Sequence, residues 1–362
     1  MRKGYQSPIE CNWEEIMSSN RFRLAAAGAL LGLAITAVAP VQAQEVTLKL
    51  HHFLPPLAHA HKNMLVPWAQ KIADDSGGRI KIDIYPAMQL GGKPPQLADQ
   101  ARDGVVDIVW TLPGYTPGRF TKTEVFELPF MHSSTVATNM ALNDFVQRHG
   151  DEYSDYKIIA MHVHAGQLFH SRKPIRTVGD IKGLKIRTPT RTGGWLIEAM
   201  GATPVGAPVP KIPEMLSKGV VDAVLIPYEI TLPLKIDELV DYHTELDDPK
   251  TTRINTSTFM IAMNKDSYNN LPPDLQKVID DNSGLNIATW LGEIWDKAEI
   301  PGRKKAAASG EIIEMAPAEV AKLRAMVEQP VIDRWVAEVT AKGIDGEALV
   351  EEARQLISKY SQ

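Results

Sequence analysis

The stretch VTLKLHHF (residues 46–53) alternates apolar and polar side chains with a period of two, the pattern of a strand with one buried face. RIKIDIYP (79–86) repeats it, whereas Val105 to Trp110 is apolar almost throughout and reads as a strand buried on both faces. Between the first two, Ala60 to Asp75 sets Met64, Leu65, Trp68 and Ile72 at helical spacing, and Gly77-Gly78 closes the helix. A polar helix is expected from Gln96 to Arg102. Further strands are expected at Lys157–Val163, Lys185–Arg187, Val220–Ile226 and Thr258–Met263. From Pro272 onward the pattern is almost wholly helical, with Gly284, Gly292 and Pro301 the only breakers before Ala307. Strands and helices in alternation predict an α/β fold. No repeat and no low-complexity linker separates the halves, which points to two domains joined by crossing strands that act as a hinge.

The chain has 362 residues, and its ends set the compartment. Arg21-Phe22-Arg23 is a positive lead-in, Leu24 to Val41 an apolar run, and Val41-Gln42-Ala43 a small-residue cleavage site, together a secretory signal cut after Ala43. Met17 is the expected true start, because the polar residues before it fit a signal poorly. Cys11 is the one cysteine and lies before the cut, so thiolate metal sites, disulfides and cysteine nucleophiles are excluded from the mature chain. Cleavage removes 4 basic and 3 acidic residues from totals of 39 and 44, leaving a formal charge of about −6 and no basic stripe for nucleic acid. There is no Gly-x-Ser-x-Gly elbow, phosphate-binding Gly-Lys-Ser/Thr loop or His-Glu-x-x-His, so an enzyme is not expected.

Candidate chemistry concentrates in GDIKGLKIRTPTRTGGW (179–195). A strand ending in Arg187, beside the free N–H groups of a following helix, is suited to hold an anion. Arg191 is expected to be a solvated charge rather than a ligand contact. His51-His52, His59-Ala-His61 and His162-Val-His164 place imidazoles in pairs without a convincing third ligand, so ordinary hydrogen-bonding histidines are expected and no metal or cofactor.

The order of several segments resembles the solute-binding proteins of tripartite ATP-independent periplasmic (TRAP) transporters. The resemblance rests on GGRIKIDIYPAMQLGG, ARDGVVDIVWTLPGY and FELPF in the first half. In the second it rests on RKPIRTVGDIKGLKIRTP, MGATPV, KGVVDAVLIPYE and NKDSYNNLPPDLQKVI. It implies two α/β domains with crossing hinge strands and a long bracing helix: residues 44–164 and 257–297 in the first, 165–256 and 298–362 in the second, after a pre-segment and signal at 1–43. It implies Arg187 as the carboxylate-binding arginine, a small-molecule carboxylate as ligand, and the small and large integral membrane subunits of a TRAP permease as partners.

Relative to the sialic-acid-binding branch of that family, Gln167 stands where a second arginine is found, Ile226 where asparagine is, and Leu112 where glutamate is. Losing those groups argues against a sugar acid, whose hydroxyls all need partners. The aromatic residues Phe53, Trp110, Tyr115, Phe169, Trp195 and Tyr228 remain as candidate walls, with His170 a candidate donor to a second ligand oxygen. Trp195 and Trp110 read equally well as core. The expected site is therefore Arg187, Gln167, Phe169, His170, Phe53, Tyr115, Ile226 and Tyr228 around an aromatic or branched monocarboxylate, a 2-oxo or 2-hydroxy acid included. A C4-type dicarboxylate, a histidine-based metal protein and a sensor module are the competing readings.

Overall fold

The computed structural model describes residues 45–248 and 250–362; the expected signal and its cut after Ala43 lie outside the described residues. Two sheets organise the chain. The first has the order β2-β1-β3-β10-β4, built from β1 (Val46–His52), β2 (Ile80–Tyr85), β3 (Ile108–Thr111), β4 (Tyr156–Val163) and β10 (Thr258–Asn264). The second has the order β11-β9-β5-β8-β6-β7. Its strands are β5 (Leu168–Ser171), β6 (Lys185–Thr188), β7 (Thr203–Gly206), β8 (Ala223–Ile226), β9 (Tyr242–Leu246) and β11 (Glu311–Met315). In the first, β1 pairs in parallel with β2 and β3, while β10 runs antiparallel to β3 and β4. In the second, β6 is parallel to β7 and β8, and β5 is antiparallel to β8 and β9.

Helices cover both sheets: α1 (Val66–Asp75), α2 (Leu97–Arg102), α3 (Thr135–His149), α4 (Arg191–Ala199) and α5 (Ile212–Ser217) alternate with the strands. α6 (Lys265–Asn269), α7 (Pro273–Asp281), α8 (Leu285–Ser309), α9 (Pro317–Thr340) and α10 (Gly346–Tyr360) follow the last strand of the first sheet. Met64, Leu65, Trp68 and Ile72 are all buried, as their spacing requires of one apolar face. The result is the two-domain α/β fold of periplasmic binding proteins.

The chain passes between the lobes twice as extended backbone, once from β4 to β5 and once from β9 to β10. Where the two passages meet, Gln167 and Asn255 form an isolated antiparallel bridge. The third connection is α8, which packs on α3 and β4 at one end and on the turn Tyr228–Ile230 and β11 at the other. Two glycines allow those close approaches. A Cβ on Gly292 would lie 2.5 Å from the Val136 Cα, and one on Gly302 would lie 2.2 Å from the Tyr228 carbonyl oxygen. Gly292 and Pro301 therefore lie inside the helix rather than breaking it.

Two differences from the sequence pattern concern the C-terminal third. β11 interrupts the expected helical run, because EIIEM buries Ile313 and Met315 while pairing in parallel along β9. And α10, expected with the second domain, packs chiefly on α3 between β3 and β4, while α9 packs on α4. The amphipathic face of α10 carries Leu349, Val350, Ala353, Leu356 and Ile357, all buried, and α3 offers it an apolar surface nearby.

Candidate functional site

A small cavity lies between the lobes, lined mainly by apolar and aromatic side chains. β6 delivers Arg187 into its wall, where the side chain is only 1% exposed. Its Nε donates to the Ala207 carbonyl at 2.9 Å, which fixes the plane of the guanidinium, and its Nη2 is buried without a partner. Among the described residues, no carboxylate lies within ion-pair distance of it. Burial pushes its pKa down to about 10, with the Tyr115 phenol acting in the opposite direction. A charged guanidinium held out of water, without a counter-ion, is a site prepared for an anion.

The walls around it are aromatic. Trp110, at the end of β3, stacks between Phe53 (4.9 Å between ring centres) and Phe259 (5.1 Å), and its Nε1 donates to His162 Nε2 at 2.8 Å. Trp295 of α8 continues the layer at 5.8 Å from Phe259. Tyr115, in the turn Pro113–Tyr115, meets Phe53 edge-on at 5.5 Å and accepts a hydrogen bond from the Val209 N–H, so it touches the opposite lobe. A second link across the cleft is the bidentate pair of Arg191 with Glu124, at 2.7 and 2.6 Å. That pair occupies Arg191, which also reaches Glu338, so the expected solvated charge is instead a clamp between segments.

Of the residues expected at the ligand, Arg187, Gln167, Phe53, Tyr115 and Ile226 line the cavity, whereas Phe169, His170 and Tyr228 do not. His170 is held by His243 (Nδ1 to Nδ1, 2.7 Å) and lies 3.2 Å from the Ile226 carbonyl. Tyr228 stands edge-on to His170 and carries Arg253 over its ring at 5.5 Å. Phe169 is buried in β5 at 1% exposure. Trp195 lies under Arg191 and Arg334 rather than in the cavity wall.

Sequence reasoning missed Glu229, Trp295, Phe259 and His164, which also line it. Glu229 directly follows Tyr228 beyond the carboxyl end of β8, a place where open α/β sheets put ligand groups, so position alone could have flagged it. Trp295 carried no such signal, since an aromatic at helical spacing reads as core.

The paired histidines are spent on hydrogen bonds. His52 Nε2 lies 2.9 Å from His61 Nδ1, His51 Nδ1 lies 2.7 Å from Gln100 Oε1, and His164 Nδ1 accepts from the Gly166 N–H. Among the described residues, no group of three histidine, cysteine or acidic side chains is arranged to hold a metal ion.

Burial, the largest cause in each case, pushes His52 and His162 down to about 3 and His59 and His132 down to about 4. Burial also pushes Glu127 and Glu152 up to about 7. A histidine lowered in the fold contributes stability above its unfolded value near 6.5, and loses it as pH falls toward the folded value. A carboxyl raised in the fold does the opposite between about 7 and 4.5. Four histidines against two carboxyls, each at about 1.36 kcal/mol per pH unit, leave a net loss of stability as pH falls from 6.5 to 4.5, and below that these carboxyls no longer oppose it. The melting temperature is therefore expected to fall as pH drops below about 6.5, most steeply between about 4.5 and 4. Calorimetry across that range tests this, and a level melting temperature down to pH 3.5 would contradict neutral buried histidines.

Two α/β lobes, a crossing-strand hinge and a cavity holding an uncompensated cation define a solute-binding protein for organic anions. Residues 50–338 match the model of the bacterial extracellular solute-binding protein family 7, DctP, and the chain belongs to that family. Members of this family bind solutes and are not enzymes.

Among solved structures, the chain is similar to a TRAP solute-binding protein from Rhodoferax ferrireducens in complex with copurified benzoate. The two are 45% identical with a TM-score of 0.85, over 87% of this chain and 98% of that one. It is also similar to a TRAP solute-binding protein of an unidentified marine microbe, specific for aromatic acid ligands and crystallised with 3-hydroxybenzoate. There the identity is 43% and the TM-score 0.86, over 88% of this chain and all of the other. A TRAP protein from Bordetella bronchiseptica with bound mandelate shares 28% identity at a TM-score of 0.79, over 87% of this chain and 99% of that one. Among curated relatives, the chain is 27% identical to the outer membrane transporter protein TsaT of Comamonas testosteroni, covering 86% of this chain and 91% of the relative.

Proposed function

We infer that the protein captures an aromatic monocarboxylate in the periplasm and delivers it to a TRAP permease. The observation that carries this is Arg187, buried, without a counter-ion and set in a wall of stacked aromatic rings. A carboxylate supplies the missing charge in a bidentate pair, and a flat ring suits a wall of aromatic side chains. Similarity to proteins that hold benzoate, 3-hydroxybenzoate and mandelate supports the same ligand class. A second carboxylate would find no further arginine or lysine in the cavity wall, since among the described residues Arg187 alone of these lines it. The partners in this reading are the small and large integral membrane subunits of the permease, which meet the closed form. The working protein begins at Gln44, after removal of the signal.

The test is a thermal-shift screen of refolded mature protein against benzoate, mandelate, branched 2-oxo acids, succinate, a sialic acid and zinc. A ligand present at 100 times its dissociation constant adds about 2.7 kcal/mol of stability. Benzoate and mandelate are expected to raise the melting temperature. A shift confined to succinate would replace the aromatic reading with a dicarboxylate one, and a shift with zinc alone would overturn both.

A further inference from the structure

The cavity wall contains more unsatisfied polar chemistry than a plain benzoate uses. Besides Arg187 Nη2, three buried polar atoms on lining residues lack a partner among the described residues: Gln167 Oε1, Glu229 Oε2 and Trp295 Nε1. Gln167 precedes β5 and Arg187 ends on β6, and these strands flank β8 on either side. Two strand spacings, about 10 Å, therefore separate the two backbones, more than a carboxylate alone can bridge.

The Gln167 amide donates through Nε2 to Ser257 Oγ at 2.7 Å, and its backbone bonds Asn255 and Ile254. Oε1 is left as an acceptor. Glu229 is 8% exposed, and its own N–H donates to Glu299 Oε1. The cation nearby is already used: Arg253 Nη2 donates to Glu299 Oε2 at 3.0 Å. With the Glu299 carboxylate beside it and burial acting as the larger cause, the Glu229 carboxyl holds its proton well above the usual range. It is thus an acid that can donate as well as accept, and Trp295 Nε1 is a second donor.

We propose that Gln167 and Glu229 form a specificity pair that reads a hydroxyl on the ring of the aromatic acid, Gln167 accepting its proton and Glu229 donating to its oxygen. This rests on the aromatic-monocarboxylate reading above. A second carboxylate in place of the hydroxyl would face Glu229, with Glu299 behind it. An ammonium would need an ionised Glu229, which the neighbouring Glu299 opposes. A neutral hydroxyl satisfies an acceptor and a donor together.

Titration calorimetry on the mature protein compares benzoate with 3- and 4-hydroxybenzoate and with the matching methoxybenzoates. At least one hydroxybenzoate is expected to bind about tenfold or more tightly than benzoate, an advantage that its methoxy analogue lacks. In Gln167→Met and Glu229→Leu that ratio should shrink to within about threefold, while Glu229→Gln, still neutral and still a donor, should keep it. Melting temperatures confirm that each variant folds, and the wild-type ratio tests the idea without any variant. Benzoate binding that depends on Arg187 but shows no hydroxyl preference, or a preference that survives both apolar variants, overturns the specificity pair and leaves the aromatic reading standing. Failure of every aromatic monocarboxylate to bind overturns both.

Discussion

Arg187→Ala is expected to weaken benzoate binding by about 30- to 5,000-fold, the effect of removing about 2–5 kcal/mol from a charge pair in a closed cleft. The same change should leave the ligand-free protein no less stable. Its guanidinium is buried with no carboxylate to offset the loss of hydration, and the lowered pKa of about 10 reports that cost. Arg187→Lys keeps a charge but loses the planar fork and the bond from Nε to the Ala207 carbonyl, so it should fall between the two. Calorimetric titration and a ligand-free melt of the three proteins measure both halves. Undiminished affinity in the alanine variant would remove Arg187 from the site. A large loss of ligand-free stability would make it structural instead.

Trp110→Ala is expected to produce the largest loss of stability from a cavity residue. Trp110 is fully buried between Phe53 and Phe259, and truncation of such a residue costs about 3–5 kcal/mol. It also removes the Nε1–H that His162 accepts, which leaves a buried imidazole nitrogen unpaired. A fall in melting temperature on the order of 10 °C follows for a chain of this size. Trp110→Phe keeps an aromatic ring in the stack but not the hydrogen bond, so it isolates a cost of about 1–3 kcal/mol. A melt of Trp110→Ala within about 3 °C of wild type would show that the stack carries little energy.

Much of the first lobe was legible from period-two alternation. The expected strands at 46–53, 79–86 and 157–163 match β1, β2 and β4 to within a residue or two at each end. The segments that escaped are short and lie in the second sheet. TPVG, YHTEL and EIIEM each span five residues or fewer, carry polar or charged positions, and become strands only because a neighbouring strand is already in place. The site was legible where one strand end carries one conspicuous charge, as at Arg187. It was not legible where the decision rests on which way a ring turns. Phe169, His170 and Tyr228 follow or end strands as Phe53 does, yet His243 and Arg253, distant in sequence, claim the space around His170 and Tyr228. Glu229 was overlooked for a related reason: its chemistry comes from burial and from Glu299 on α8, 70 residues away.

The place of β10 bears on how the chain assembles. Thr258–Asn264 runs between β3 and β4, which are otherwise not neighbours in the first sheet. Until that segment has been synthesised, the amino-terminal lobe has a gap in the middle of its sheet, with the backbone edges of β3 and β4 both unpaired. Residues 45–164 are thus a part and not an independent folding unit, and closing the sheet needs contacts about 100 residues apart along the chain. The arrangement delays completion of the first sheet until nearly three-quarters of the polypeptide is present.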